Sequence, residues 1–189
     1  MFVDACLPKN NEEEFIKVAE KLGTKALLFL YEKKEKNVSL LQSKTKLELY
    51  SGIINGSAKI NFAKAEQQNI ANKNSQFLYG FEDLEKKDSF HYRRSGTNQV
   101  LCKLMKTKNK IFVLDMEKII TSSDKETLLG RLQQNLMLIK KYKLDLIICS
   151  FATKPSNLRA EEEYKALIRS LGYQEEARNA TKTLSKFLL

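Results

Sequence analysis

Short apolar runs alternate with amphipathic stretches along nearly the whole chain, and that alternation predicts its elements. Residues 1–6 are apolar and are stopped by Leu7-Pro8, which predicts a buried first strand. Asn10 or Asn11 then stands where a helix cap is needed, and Glu12 to Glu14 suit the positive end of the helix dipole. Phe15, Ile16, Val18, Ala19 and Leu22 form the apolar side, and Gly23 closes it. The continuous run Ala26-Leu27-Leu28-Phe29-Leu30 has the composition of a parallel strand buried on both faces. Strand, helix and strand in succession make a βαβ unit.

Further strands are predicted over 47–54, 76–81, 110–115 and 144–149. Ser95-Gly96 predicts a helix start, with Ser95 as N-cap and Val100, Leu101, Leu104 and Met105 on its inward face. Ser123-x-x-Glu126 reads as a capping box for a helix that turns Leu128, Leu129, Leu132, Leu136 and Ile139 inward and Arg131, Gln134, Lys140 and Lys141 away. Two more helices are predicted, from Pro155 to Leu171 and from Gln174 to Phe187. Lys59 to Gln76, rich in Asn, Gln and Lys, fits either a short helix or a strand with a loose loop. With no Gly-, Ser- or Pro-rich linker and no repeat, residues 1–189 read as one α/β domain with helices outside a mainly parallel sheet. Both a compact barrel and an open doubly wound sheet satisfy this pattern.

Charge adds a direction to the picture. Thirty-three Lys and Arg oppose 23 Asp and Glu, a formal net charge of +10, which favours a polyanionic partner. The segment Glu85 to Lys110 holds Lys86, Lys87, Arg93, Arg94, Lys103, Lys106, Lys108 and Lys110 against Glu85 and Asp88, so most of the excess lies there. Lys33, Lys34, Lys36, Lys44 and Lys46 form a second cluster, and Lys140, Lys141 and Lys143 a third. Cys6, Cys102 and Cys149 are widely spaced without a Cys-x-x-Cys, as in reduced core thiols of a cytoplasmic protein. No apolar run reaches the length of a membrane span, and the start MFVDACLPKN does not read as a signal peptide.

Candidate chemistry narrows quickly. His91 is the only histidine, so neither a His-rich metal site nor a Ser-His-Asp triad with a G-x-S-x-G elbow can be assembled around it. No phosphate loop or dinucleotide fingerprint occurs. Cys149 follows a strand and could be a nucleophile by position, although a buried core thiol is the plainer reading. Asp4 and Asp115 end predicted strands, where a barrel can gather carboxylates. That keeps a small stand-alone phosphoesterase or hydrolase as one alternative, and a basic protein-interaction module as another. The residues favour binding: Arg93 and Arg94 beside His91 and Tyr92, with Lys103 and Lys106 along the next helix, combine charge with stacking surface as RNA contact requires.

The run RRSGTNQVLCKL resembles the signature of the ribonuclease P protein component 3 family, of archaea and eukaryotes. FVDACLPKN is similar to that family's first strand, LLGRLQQNLMLIKKYKLDLIICSFAT to a later helix and strand, LRAEEEYKALIRSLG to the next helix and EARNATKTLSKFL to its tail. Between residues 32 and 85 the likeness is weak. Thr97 stands where the family usually has Leu, so its hydroxyl is expected to need a backbone partner. Arg159 is followed by Ala160-Glu161 instead of the family's usual Ser-Pro. The resemblance implies a compact TIM-barrel-like, PHP-related fold without the histidines of metal-dependent phosphoesterases. It implies a non-catalytic, RNA-binding subunit of the endoribonuclease that removes the 5′ leader of precursor tRNA. The catalyst would be the RNA with its own Mg2+, with no catalytic residue, metal or cofactor on this chain. The implied partners are the ribonuclease P RNA, protein component 2 and other protein subunits, with precursor tRNA as holoenzyme substrate and no membrane. Arg93, Arg94, Lys103, Lys106, Arg131, Lys140, Lys141 and Arg159 are the RNA-contacting residues so implied.

Overall fold

A computed structural model describes every residue except 34, 35, 57, 86, 89, 92 and 189; Lys34, Lys86 and Tyr92 therefore lie outside the described residues. Seven strands form one parallel sheet in sequence order: β1 (Val3–Cys6), β2 (Ala26–Tyr31), β3 (Glu48–Ile54), β4 (Asn61–Lys64), β5 (Phe77–Tyr79), β6 (Ile111–Asp115) and β7 (Leu146–Cys149). The helices are α1 (Glu12–Lys21), α2 (Ser39–Gln42), α3 (Gln67–Ala71), α4 (Gln99–Thr107), α5 (Met116–Thr121), α6 (Lys125–Tyr142), α7 (Glu161–Ser170) and α8 (Gln174–Ala180). Between 59 and 76 both predicted options occur, a strand and then a short helix. The last predicted helix stops at Ala180 and continues as 3-10 turns over Leu184–Phe187.

The sheet curls into a nearly closed barrel. β1 and β7 meet through Phe151 N–H to Ala5 O (2.8 Å) and Leu7 N–H to Ala152 O (2.9 Å). Ser150 seals the seam, its Oγ donating to Ala5 O and its N–H to Asp4 Oδ1 at 2.6 Å. The sequence left the barrel and the open sheet undecided, and these contacts decide for the barrel.

Alternation along the strands sorts side chains into two layers. Val3, Ala5, Ala26, Leu28, Leu30, Ile54, Phe62, Phe77, Ile111, Val113, Ile147 and Cys149 fill the lumen. A chain of rings runs through it: Tyr79 against Phe151 (5.2 Å between centroids), Phe151 against Phe62 (5.6 Å), Phe62 stacked on Phe77 (4.7 Å), and Phe77 against Phe187 (5.4 Å). Phe151, just past β7, takes a positive φ of 47°, a strained conformation for a bulky residue. It is fixed by the bond to Ala5 O and by its ring in the column.

Outward-facing residues pack under the helices. Phe15, Ile16 and Ala19 of α1 cover Leu27 and Phe29, while Cys102, Met105, Leu132, Leu136, Ile139, Tyr164 and Ile168 cover the other side. Asp4 lies in this outer layer, where Tyr164 Oη donates to its Oδ2 (2.9 Å). Burial pushes its carboxyl up to about 6 even though the bonds from Ser150 and Tyr164 act the other way. Asp4 is thus a seam residue facing helices, which removes it from any carboxylate cluster at the barrel mouth. Cys6 and Cys149 are buried with thiols held well above their ordinary range, chiefly by desolvation, so Cys149 is a lumen residue and a poor nucleophile.

Candidate nucleic-acid interface

The region rich in positive charge begins at the end of β5. Gly80 turns the chain with φ 79° into a short 3-10 turn, Phe81–Asp83, and Phe81 stacks on Phe112 of β6 (3.8 Å). The loop that follows is organised by Asp88. Its Oδ1 receives the Arg131 Nε–H (2.9 Å) and the Arg94 backbone N–H (2.9 Å), and its Oδ2 receives Arg93 Nη1 (3.0 Å). Partial desolvation alone would raise the Asp88 pKa, but the Arg94 N–H and the Arg93 and Arg131 guanidiniums outweigh it and hold it down at about 2.

Arg131, expected to contact RNA, is engaged inside the protein. It is only 8% exposed, and its Nη1 donates to the Glu82 and Glu85 carbonyls (2.7 and 2.8 Å) while its other nitrogens hold Asp88. The buried carbonyls and the carboxylate thus take up four of the five N–H groups of the guanidinium. Arg131 fastens the loop to α6; it does not turn away from the apolar stripe as predicted. Next to it Asn135 donates to Glu82 Oε1 (3.2 Å), and burial raises the Glu82 pKa. Lys118 lies 2.5 Å from Asp83 and 4.0 Å from Glu82. Asp115 caps α5 by accepting from the Lys118 N–H (3.0 Å), and burial pushes its carboxyl up to about 6.

Arg93 is half-buried and also engaged. Besides Asp88 it faces Glu126 (3.5 Å) and Thr127 Oγ1 (3.4 Å) at the start of α6. Gly130 makes room for it, since a Cβ there would stand 3.0 Å from Arg93 Nε. Arg94 is exposed. At the tip of the loop Phe90 is 97% exposed and its ring meets His91 edge-on (4.9 Å), an aromatic platform of the kind on which bases stack.

The following helix starts later than predicted. Asn98, not Ser95, is the N-cap, accepting from the Leu101 N–H at 2.9 Å. The later start goes with a rotated face: Cys102 and Met105 are buried, whereas Val100 is 71% exposed and Leu104 is also exposed. One flank of α4 stands against α6, where Tyr142 Oη donates to Gln99 Oε1 (3.4 Å) and Lys106 Nζ to the Lys143 carbonyl. Gly96 (φ 79°) turns the chain just before, and a Cβ there would collide with Leu84 at 2.2 Å. Thr97 is buried at N′, one residue before the cap, and its Oγ1 has no hydrogen-bond partner among the described residues, so the expected carbonyl bond does not form. An apolar residue at N′ can act as one half of a hydrophobic staple, a role that the Thr97 hydroxyl does not serve. Likewise Asp124, not Ser123, caps α6, accepting from the Thr127 N–H (3.0 Å).

Lys103, Lys106, Lys140 and Lys141 are exposed. Lys140 lies over the Tyr173 ring (5.9 Å) and Lys141 over the Tyr142 ring (5.8 Å). Arg159 is set apart, on the β7–α7 connection whose turn packs on α1; it donates to the Ser156 and Leu158 carbonyls and faces Glu163 at 3.7 Å. The second basic cluster is locally matched: Lys36 bonds Asn10 (2.6 Å) and Glu12 (3.1 Å), and Lys44 bonds Glu13 (2.7 Å). The acids that open α1 therefore offset part of that side, while among the described residues Lys103 of α4 and Lys140 and Lys141 of α6 form no ion pair.

No protein-family model matches the sequence, and no curated protein matches it. Solved structures do. A chain in the cryo-EM structure of archaeal ribonuclease P with mature tRNA superposes with a TM-score of 0.79 at 18% identity, over 97% of this chain and 89% of that one. The fold is shared with a chain of archaeal ribonuclease P. Histidinol phosphate phosphatase from Lactococcus lactis, in complex with zinc, L-histidinol and phosphate, superposes at 0.62 with 9% identity, over 91% and 94% of the two chains. An uncharacterised protein superposes at 0.58 with 9% identity, over 99% and 73%. The seven-stranded TIM-barrel-like architecture is thus common to a ribonuclease P chain and to a phosphatase. Among the described residues of this chain no group of three or more His, Cys, Asp or Glu is placed to hold a metal ion. Among the described residues no helix is long and apolar enough to cross a membrane.

Proposed function

We propose that this chain is an RNA-binding protein subunit of ribonuclease P that supports the catalytic RNA in removing the 5′ leader of precursor tRNA. The observation that carries the reading is the end-to-end likeness to a chain of archaeal ribonuclease P, 97% of this chain at a TM-score of 0.79. The residues support it independently. The RRSGTNQVLCKL run leads into α4, whose Lys103 and Lys106 are exposed, and follows the Phe90–His91 pair. In this reading Arg94, Lys103, Lys106, Lys140 and Lys141 lower the repulsion between RNA segments and position them, and Arg131 and Asp88 hold the loop that presents Arg94. The metal ions of the reaction belong to the RNA. Protein component 2 and other protein subunits are the partners this assignment brings with it.

The second reading, a stand-alone phosphoesterase, is favoured by the likeness to histidinol phosphate phosphatase. The placement of the side chains weighs against it. Among the described residues no group of three or more His, Cys, Asp or Glu is placed to hold a metal ion, and Asp4 faces the helices, held by Tyr164.

Reconstitution separates the two. Cleavage of precursor tRNA by the cognate RNA should rise when this chain and its protein partner are added, and the purified chain with Mg2+, Mn2+ or Zn2+ should leave phosphomonoesters intact. If the chain does not alter RNA-dependent cleavage, the assignment is wrong; metal-dependent phosphatase activity by the chain alone would establish the second reading.

A further inference from the structure

At the N-terminal end of the barrel, three connections meet: the one entering β4, the α3–β5 turn and the α4–β6 turn. They enclose an open cavity of about 540 Å³ whose polar lining includes Lys59, Lys73, Asn74, Lys108, Asn109 and Lys110. Four lysines and no carboxylate face this space, and none of the four forms an ion pair among the described residues. Lys110 is the built part. It is buried, and its ammonium is tied down by the Asn72 and Ser75 carbonyls. Burial lowers its pKa, and Lys108 beside it lowers it further, as happens where like charges share a site. Asn109, in the left-handed conformation (φ 51°), folds the chain so that Lys108 and Lys110 both line the cavity. A concave site lined by one sign of charge concentrates its field and its counter-ions.

We propose that Lys59, Lys73, Lys108 and Lys110 form a phosphate cradle that holds a second segment of RNA backbone at the N-terminal end of the barrel. The inference rests on the RNA-binding reading of the chain and extends it to a surface none of whose residues belongs to the RRSGTNQVLCKL run. Three observations favour a polymer backbone over a small free anion. The cavity is open and larger than one phosphate needs. Its cations are lysines, point charges without the bidentate geometry that fixes a single small ion. It also begins only two residues beyond Lys106, so one strand of RNA leaving α4 meets it directly.

The test is the salt dependence of binding to a tRNA transcript, measured by fluorescence anisotropy on the full chain and on the double variant Lys73→Gln/Lys108→Gln. Lys110 is left intact because its ammonium supports two turns. Deleting one lysine–phosphate interaction should flatten the slope of log affinity against log salt by about 0.7–0.9, so the double variant should lose roughly one to two units with an unchanged melting temperature. An unchanged slope would overturn the cradle. A parallel Lys103→Gln/Lys140→Gln variant keeps the two readings apart: if it flattens the slope and the cradle variant does not, RNA binding stands and only the cradle fails; if the unsubstituted chain shows no salt-dependent binding, the RNA reading itself fails. Titration with pyrophosphate, followed by backbone amide shifts of residues 73–76 and 108–110, is the arm for a free anion. Saturable shifts there, without any change in the RNA slope of the double variant, would assign the site to a small anion and reject the RNA backbone.

Discussion

One carboxylate oxygen of Asp88 receives both the Nε–H (2.9 Å) and an Nη group (2.8 Å) of Arg131, joining the loop after β5 to the middle of α6. Removing the guanidinium would leave the Glu82 and Glu85 carbonyls without their buried donor and Asp88 without one of its arginines. Arg131→Ala should therefore cost on the order of 3 kcal/mol in urea unfolding. Arg131→Lys should recover only part of it, since one ammonium cannot reach both carbonyls and the carboxylate. At a temperature where Arg131→Ala is still folded, the salt slope for RNA should stay near that of the parent, because no phosphate contact has been deleted. A slope reduced by a full unit would return Arg131 to the RNA interface.

The carboxyls of this chain give opposite pH signs. Asp88, held at about 2, contributes stability that is complete above its unfolded pKa of about 4 and is lost as pH falls from there through 2. Amide protection of residues 82–98 should therefore persist at pH 4 and fall steeply toward pH 2. Asp4 and Asp115, both pushed up to about 6, bind protons more readily when folded. Their contribution declines as pH rises from about 4 to 6 and is flat above. In Asp4→Asn the urea midpoint should vary less between pH 4 and 6 than in the parent; an equal variation would remove Asp4 as its source.

The face that α4 presents to the core is open to direct measurement. Met105 is fully buried and Val100 mostly exposed. Met105→Ala should lower stability by about 2–5 kcal/mol, and Val100→Ala should change it by no more than about 0.5 kcal/mol. Equal losses in thermal melts would mean that the helix is seated as its sequence alone predicts, with Val100 inward.

Capping offers a finer contrast over neighbouring residues. Asn98→Ala should cost about 1 kcal/mol, because the Leu101 N–H loses its acceptor. Ser95→Ala and Thr97→Val remove hydroxyls that are buried without a partner among the described residues, so each should be neutral or stabilising by up to about 1 kcal/mol. A loss at Ser95 comparable to that at Asn98 would restore Ser95 as the cap.

What was legible in the sequence follows from how local each signal is. Runs such as Ala26–Leu30 and Ile111–Leu114 announce buried parallel strands within a few residues, and the β1, β2, β3, β5, β6 and β7 segments were all predicted. β4 was ambiguous because Asn61-Phe62-Ala63-Lys64 is short and lies among Asn, Gln and Lys. Barrel closure depends on Ser150 meeting Asp4 and Ala5 across almost the whole chain, and no window of sequence contains both. The same reason hid Asp88. A single acid after two lysines reads as a solvated charge, and only the fold brings Arg131 to it. The positive character of the α4 region was readable, but which of its cations are already taken was not, since Glu126 and Asp88 pair with Arg93 only in space. The lysine cradle draws on three turns separated in the chain, and no single turn announces it.

The column of rings through the barrel also dictates an order of assembly. Phe62 and Phe77 leave the ribosome early, but the rings that close over them, Phe151 and Phe187, belong to the last quarter of the chain. Until that part has emerged, the first strands can pair with one another but cannot enclose a dry interior. Their apolar inner face stays open to water and to other chains. This protein should therefore gain its stability late and nearly all at once, as topologies dominated by distant contacts do, and its nascent N-terminal two-thirds should be the form most dependent on chaperones.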